Sequence, residues 1–307
     1  MAELDKIKLK DSHLVNGYEF PVAYKVKSEG EQSISTEDVA QLLKNKAEEG
    51  FFRNILDKNG AIVLRLGNID PNVISKYVEA IGYGSKLVPF VQNGSTAERT
   101  QITNVLTTAN EGPGGIEIYQ HNEFSRFKTY PSTLFFACTE YTAKGGETPI
   151  VHGAETFEDV KQLDGRIIIL LEEQFSLKIH WSKERRKAGK VCFDHISEDF
   201  EWDKDNNLDV KEHTEPVKLY NNGDKKYGVL FNSIPTFYGD IRDKKNSYGK
   251  TTEISYDDNE EPISHEDLDL ILQSSLDTEY NHNWVPGDLA IINNYQVSHG
   301  RKAMERW

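Results

Sequence analysis

The chain has 307 residues, 37% of them hydrophobic and 28% charged, which is enough apolar material for one large globular domain. Fifty acidic against 36 basic residues give a formal net charge of −14, which argues against nucleic acid or an anionic membrane as a main partner. Cys138 and Cys192 are too few for a disulfide framework or a cysteine-based zinc site. The N-terminus, Met1-Ala-Glu-Leu-Asp-Lys6, has no apolar signal region, and the longest apolar run, Ile167 to Leu171, is far too short to span a bilayer. A soluble, cytoplasmic protein is the expectation.

Taken in chain order, Ser35-Thr-Glu-Asp38 opens an amphipathic helix with Val39, Leu42, Leu43 and Ala47 on one stripe, ending at Gly50. Ala61-Ile-Val-Leu-Arg-Leu66 reads as a buried strand. Asp70, as cap, and Pro71, at the first helical position, start a second helix that carries Val73, Ile74, Tyr77, Val78 and Ile81 to Gly82. From about Gly115 the signals turn to strands, at 115–123, 132–141, 147–152, 226–234 and 287–297. A polar stretch at about 183–215 reads as an insertion or lid. The predicted organisation is a single domain over 1–307. It has a helical N-terminal layer at about 30–90 and a β-rich core at about 100–307, so the fold class is α+β or mainly β with flanking helices.

Nine histidines among so many acids should produce about 1.5 His-x-Asp/Glu matches by chance, and there are three. His265/Asp267 lies in a helix start capped by Ser264, where residues two apart do not share a face. His213/Glu215 follows Asp203-Lys-Asp-Asn-Asn-Leu-Asp209, which has the composition of a surface loop. His121/Glu123 follows the period-2 pattern of Ile116-Glu-Ile-Tyr119, and on a strand the two side chains can grip one ion together. Two histidines and one carboxylate on one face of a metal is the arrangement of non-haem Fe(II) oxygenases. The third ligand is sought on a distant strand. Val285-Pro-Gly-Asp288 is a turn signal that leads through Leu289-Ala-Ile-Ile to His299. Between the two sites, Lys144-Gly-Gly-Glu-Thr148 is a glycine turn delivering a threonine to a strand start.

His-x-Glu, then Gly-Gly-x-Thr about 25 residues on, then an apolar strand ending in His, resembles the taurine dioxygenase (TauD/TfdA-like) family of 2-oxoglutarate-dependent oxygenases. The detail is most similar to its clavaminate synthase-like branch. The stretches that carry it are Thr108-Ala-Asn-Glu111, Gln120-His-Asn-Glu-Phe124, Tyr130-Pro-Ser-Thr-Leu-Phe-Phe136, Gly145-Gly-Glu-Thr-Pro-Ile-Val151, Leu230-Phe-Asn-Ser233 and Pro286-Gly-Asp-Leu289 through His299. The resemblance implies a double-stranded β-helix (jelly-roll) core. It implies His121, Glu123 and His299 as ligands of a catalytic Fe(II), with Thr148 as a hydrogen-bond donor to the co-substrate 2-oxoglutarate. It implies oxidation of a small polar substrate by O₂, amino-acid-like molecules among the candidates, with release of succinate and CO₂. Glu123 favours hydroxylation or related C–H oxidation over halogenation, since related halogenases replace the carboxylate with a small residue. Asn110, Phe124 and Asn232 are candidate pocket residues.

The family normally clamps the distal carboxylate of 2-oxoglutarate with an arginine on the strand after the distal histidine. Arg301 and Arg306 stand too close to His299 for that role, and only eight residues follow His299. A C-terminus short of the full family domain is therefore expected. The alternative function is a catalytically inactive or truncated member serving as a binding or sensing module. A zinc hydrolase with the same triad is a weaker rival, because it has no use for Gly-Gly-x-Thr and the His-Glu-x-x-His helix is absent.

Overall fold

In the computed structural model, residues 2–28, 34–67, 70–91, 99–109, 114–167, 175–181, 199–243, 250–256 and 261–305 are described. The chain opens with strands β1 (Ala2–Ile7), β2 (His13–Val15), β3 (Tyr18–Phe20) and β4 (Val22–Ser28). The next block is α1 (Thr36–Glu48), α2 (Phe51–Asn59), β5 (Ala61–Arg65) and α3 (Pro71–Gly84). Its ends follow local chemistry. The Ser35 hydroxyl accepts the Asp38 amide, and Asp70 accepts from Asn72 and Val73 ahead of Pro71. Gly50 and Gly60, both with φ near +80°, let the chain turn at either end of α2.

After β6 (Ile118–His121), β7 (Thr133–Ala137), β8 (Lys144–Gly145) and β9 (Thr148–His152) comes α4 (Gly153–Leu163). Then follow β10 (Phe175–Trp181), β11 (Asp199–Trp202), β12 (Leu208–Thr214), β13 (Val217–Asn221) and β14 (Lys226–Leu230). The helix α5 (Ile234–Arg242), β15 (Lys250–Tyr256) and α6 (His265–Asp277) lead into β16 (Tyr280–His282), β17 (Asp288–Asn293), β18 (Val297–Arg301) and β19 (Met304–Glu305).

Two sheets frame the core. One has the order β1-β4-β5-β17-β7, with β4 and β5 parallel and the other pairs antiparallel. The other, β16-β9-β18-β6, is antiparallel throughout. Alternation along β5 and β17 explains how they pack. Ala61, Val63, Ala290 and Ile292 meet Ile150, Tyr280 and Val297 of the second sheet, while Ile62, Leu64, Leu289 and Ile291 meet helices α1 to α3. Each of these four fully buried aliphatic side chains contributes roughly 2 kcal/mol of transfer free energy. The architecture is strand-rich with flanking helices, and the described strands form packed open layers without closing into a barrel.

Several boundaries differ from the sequence expectation. The helical N-terminal layer is preceded by four strands, two of which join the main sheet. The strand expected over 287–297 is two strands, because Asn294–Gln296 turn the chain from one sheet into the other. The strand expected over 226–234 ends at Leu230, since Ile234-Pro235 begins α5. The described part of the 183–215 stretch is ordered β-structure: β11 and β12 join β10 and β15 in a four-stranded sheet. Leu208, Val210 and Glu212 point inward, and Glu212 is buried against Arg126 at 3.1 Å.

Candidate active site

His121 and His299 face each other directly across β6 and β18, with ring centroids 4.5 Å apart. Strand β6 ends at His121, so Glu123 lies in the turn beyond it and not on the strand itself. Its carboxylate nevertheless returns to the same side. Glu123 Oε2 is 3.6 Å from His121 Nε2 and 3.5 Å from His299 Nε2. These three residues are the one group of three or more potential metal ligands found among the described residues.

The turn is held by asparagine amides. Asn122, between the two motif residues, is buried. It donates to the Asn294 carbonyl at 2.7 Å and accepts the Asn232 amide at 2.9 Å. Asn294, in the turn between β17 and β18, accepts the Glu123 amide at 2.8 Å and donates to the carbonyls of Glu123 and Pro131. The segment that carries His299 is thereby fastened to the backbone that carries Glu123.

Protonation states follow from this geometry. His121 Nδ1 lies 3.0 Å from the Tyr119 carbonyl, which can only accept, so Nδ1 carries a proton and Nε2 is the ring nitrogen turned towards Glu123. Burial and the neighbouring His121 push the His299 imidazole below its ordinary value, against the pull of Glu123. Burial by itself would raise the Glu123 carboxyl. Hydrogen bonds and charge from His121 and His299 outweigh that effect and hold it well below the usual carboxylate range. Two imidazole nitrogens and one anionic oxygen converging on one point are a donor set that a divalent cation satisfies, the cation taking the place of any Nε2 proton. Bonds of about 2.1 Å at right angles would place donor atoms about 3.0 Å apart, so the two separations between Glu123 and the imidazoles need to close only slightly.

A cavity of about 810 Å³ opens over these three residues and is lined also by Arg99, Phe136, Thr148, Trp284 and Arg301. Thr148 starts β9 after Gly145 and Gly146, both at positive φ, as the glycine turn requires. Its Oγ1 accepts the Trp284 indole N–H at 2.8 Å, so the hydroxyl proton is left to point elsewhere. Trp284 stands edge-on to His282, whose Nε2 lies 3.1 Å from the buried Asp288.

Apart from Arg301, the other residues considered separate from the site. His213 lies on β12, not in a loop, and is paired with Asp199 at 3.2 Å. His265 is the first residue of α6 and packs near Tyr238. Asn232 is structural, tied to Asn122 and capping the Ile234 amide. Phe124 stacks between Phe90 and Phe127. Arg301 lines the cavity and donates to the Ile116 carbonyl at 3.1 Å. Asn110 and Arg306 lie outside the described residues.

Two residues in the cavity gave no sequence signal. Arg99 donates to Glu123 Oε1 at 2.8 Å from an irregular polar segment whose composition is that of any surface loop. Trp284 sits just before the Pro-Gly turn, where an aromatic is ordinarily packing.

Comparison with known proteins agrees with the geometry. Residues 21–307 match the family model "Taurine catabolism dioxygenase TauD, TfdA family". A clavaminate synthase-like protein of Arabidopsis thaliana is 25% identical over 283 residues, covering 85% of this chain and 82% of that protein. The dapdiamide synthesis protein DdaC of Enterobacter agglomerans is 22% identical over 275 residues, covering 82% and 80%. In fold, the chain is similar to PvcB of Pseudomonas aeruginosa, with a TM-score of 0.51 and 13% identity over 99% of this chain and 87% of that one. The chain belongs to the TauD/TfdA family of dioxygenases, and with that family it is an Fe(II)- and 2-oxoglutarate-dependent oxidoreductase.

Proposed function

We propose that this oxygenase hydroxylates, or oxidises in a related way, a C–H bond of a small polar substrate, amino-acid-like molecules being the favoured class. His121, Glu123 and His299 hold the iron, and Thr148 donates to 2-oxoglutarate. The observation that carries this reading is the meeting of His121 Nε2, Glu123 Oε2 and His299 Nε2 on one wall of the cavity that also contains Thr148. The cavity volume suits a small co-substrate together with a small substrate. Its lining mixes guanidinium and hydroxyl groups with Phe136 and Trp284, as expected where a polar molecule is oriented beside a dry reacting centre. The two relatives, one named as clavaminate synthase-like and one as a dapdiamide synthesis protein, fit a small-molecule substrate.

Iron with 2-oxoglutarate and O₂ supplies the oxidising chemistry, in which the keto acid becomes succinate and CO₂ while the substrate C–H bond is oxidised. The chain's own residues bind, orient and shield. As ligands, two imidazoles and one carboxylate offer a single negative charge to a divalent ion, so the loaded site keeps positive charge for an anionic keto acid. The Tyr119 carbonyl fixes the His121 tautomer, and the Asn122–Asn294 amides fix the turn bearing Glu123. By taking the Trp284 proton on its oxygen, Thr148 has its own hydroxyl proton to give. That all three proposed ligands and Thr148 share one cavity supports a working oxygenase over the inactive binding module.

The test is an anaerobic titration of metal-free protein with Fe(II), then 2-oxoglutarate, followed by visible absorption. A charge-transfer band of the chelated keto acid is expected. Iron binding without the band would defeat the co-substrate assignment.

A further inference from the structure

The two oxygens of Glu123 have different partners. Oε2 faces both histidine Nε2 atoms, at 3.6 and 3.5 Å, whereas Oε1 is engaged by the Arg99 guanidinium at 2.8 Å. Arg99 does not reach the site from a loose tether. The Thr100 amide donates to Thr108 Oγ1 at 2.8 Å and the Thr108 amide to the Thr100 carbonyl at 2.9 Å, closing the base of the 100–108 loop directly beside Arg99. Within that loop, Ile102 and Thr103 bond the Leu106 carbonyl, and Leu106, Thr107 and Thr108 line the same cavity as the ligands. Glu123 is 13% exposed, so its second oxygen has little water to turn to if the guanidinium is removed.

We infer that Arg99 is a positioning residue that restricts Glu123 to one-oxygen ligation of the metal. This rests on His121, Glu123 and His299 being the ligands. The consequence is a matter of counting. A six-coordinate ion held by three donors keeps three positions, two for a chelating keto acid and one for O₂. A carboxylate bound through both oxygens would leave only two, and the keto acid would fill them. Arg99 occupies the oxygen that would close the third position. Affinity for the metal is not the informative quantity, because a guanidinium this near repels a divalent ion while orienting its ligand, and the two effects oppose.

Mn(II) is the probe, and water-proton relaxation of the loaded protein counts its exchangeable positions without turnover. Arg99→Gln is expected to bind Mn(II) but to lose about one third of the inner-sphere relaxation, three positions becoming two. Arg99→Lys, which keeps a cationic donor on Oε1, is expected to restore most of it. Unchanged relaxation in Arg99→Gln with the ion bound overturns the role of Arg99 and leaves the ligand set standing. An equal loss in Arg99→Lys also overturns it, by assigning the effect to loop packing. If His121→Ala binds Mn(II) as well as the unaltered protein does, the ligand assignment itself fails.

Discussion

Replacing Asn122 separates shape from hydrogen bonding at the centre of the site. In Asn122→Ala, the Asn294 carbonyl loses the donor it meets at 2.7 Å and the Asn232 amide loses the acceptor it meets at 2.9 Å. Asn122 is 1% exposed, so water does not replace either partner. Each orphaned buried group costs about 1–3 kcal/mol, which gives a loss of about 2–6 kcal/mol before any cavity cost. Asn122→Asp fills the same volume and keeps an acceptor for Asn232. However, it sets a carboxylate oxygen against the Asn294 carbonyl and buries a charge, so it should cost at least as much as the alanine. Urea unfolding read by linear extrapolation, with the m-value checked for constancy, measures both. An aspartate variant within about 0.5 kcal/mol of the parent, or an alanine variant costing less than about 1 kcal/mol, would refute the argument and leave Asn122 as a space-filler.

At the metal, Glu123→Ala should end succinate formation and weaken Fe(II) binding, while His213→Ala and His265→Ala should leave Fe(II) binding intact. Isothermal or absorbance titration decides, and metal loss in either histidine variant would mean that the wrong pair was chosen. Trp284→Phe removes the N–H that fixes the Thr148 hydroxyl and should weaken 2-oxoglutarate binding by about 5–10-fold, the worth of one hydrogen bond. In a Thr148→Val background the same change should do nothing, and an equal loss there would show that Trp284 acts by packing alone. Acid stability should depend on His152, whose burial pushes its imidazole down to about 3. Unfolded, it titrates near about 6.5. Below that pH the unfolded chain takes a proton that the folded chain refuses, so this stability is complete above about pH 6.5. It falls by about 1.4 kcal/mol per unit towards pH 3. His152→Asn offers an amide oxygen as the acceptor for the Ala154 amide and should flatten the decline of melting temperature with acid, so an unchanged slope would refute the assignment.

The periodic and capped elements were legible because their signals are local. Ser35, Asp70 and Ser264 cap the helices that follow them, and the continuous apolar run of β5 marks a strand covered on both faces. The histidines and Glu123 were legible through their order along the chain. What was not legible depends on distant partners. β1 carries Glu3, Asp5 and Lys6 and β4 carries Lys25 and Lys27, and these short charged segments become part of the main sheet only because β5 pairs with β4. In β12, the inward Glu212 breaks the apolar pattern and needs Arg126 as its partner, so a sequence reading takes the segment for loop. The turn at Asn294 was hidden inside the strand expected over 287–297, because its cause is the side-chain amide network and not a Gly or Pro. Arg99 is the extreme case, a site residue defined by one contact and by no periodicity.

The central position of β17 sets an order of events. β5 finds one neighbour, β4, close by in sequence, but its other neighbour is separated from it by more than 200 residues of chain. Long-range closure of this kind is slow, and until it occurs the apolar edge of β5 stands uncovered, a hazard for aggregation during synthesis. The strand that finally covers it runs on through Asn294 into the strand bearing His299. Completion of the main sheet and delivery of the last of the proposed metal ligands are therefore the same step. A partly folded chain with an uncovered sheet edge cannot hold the ion, and the capacity to bind metal becomes a report that folding has finished.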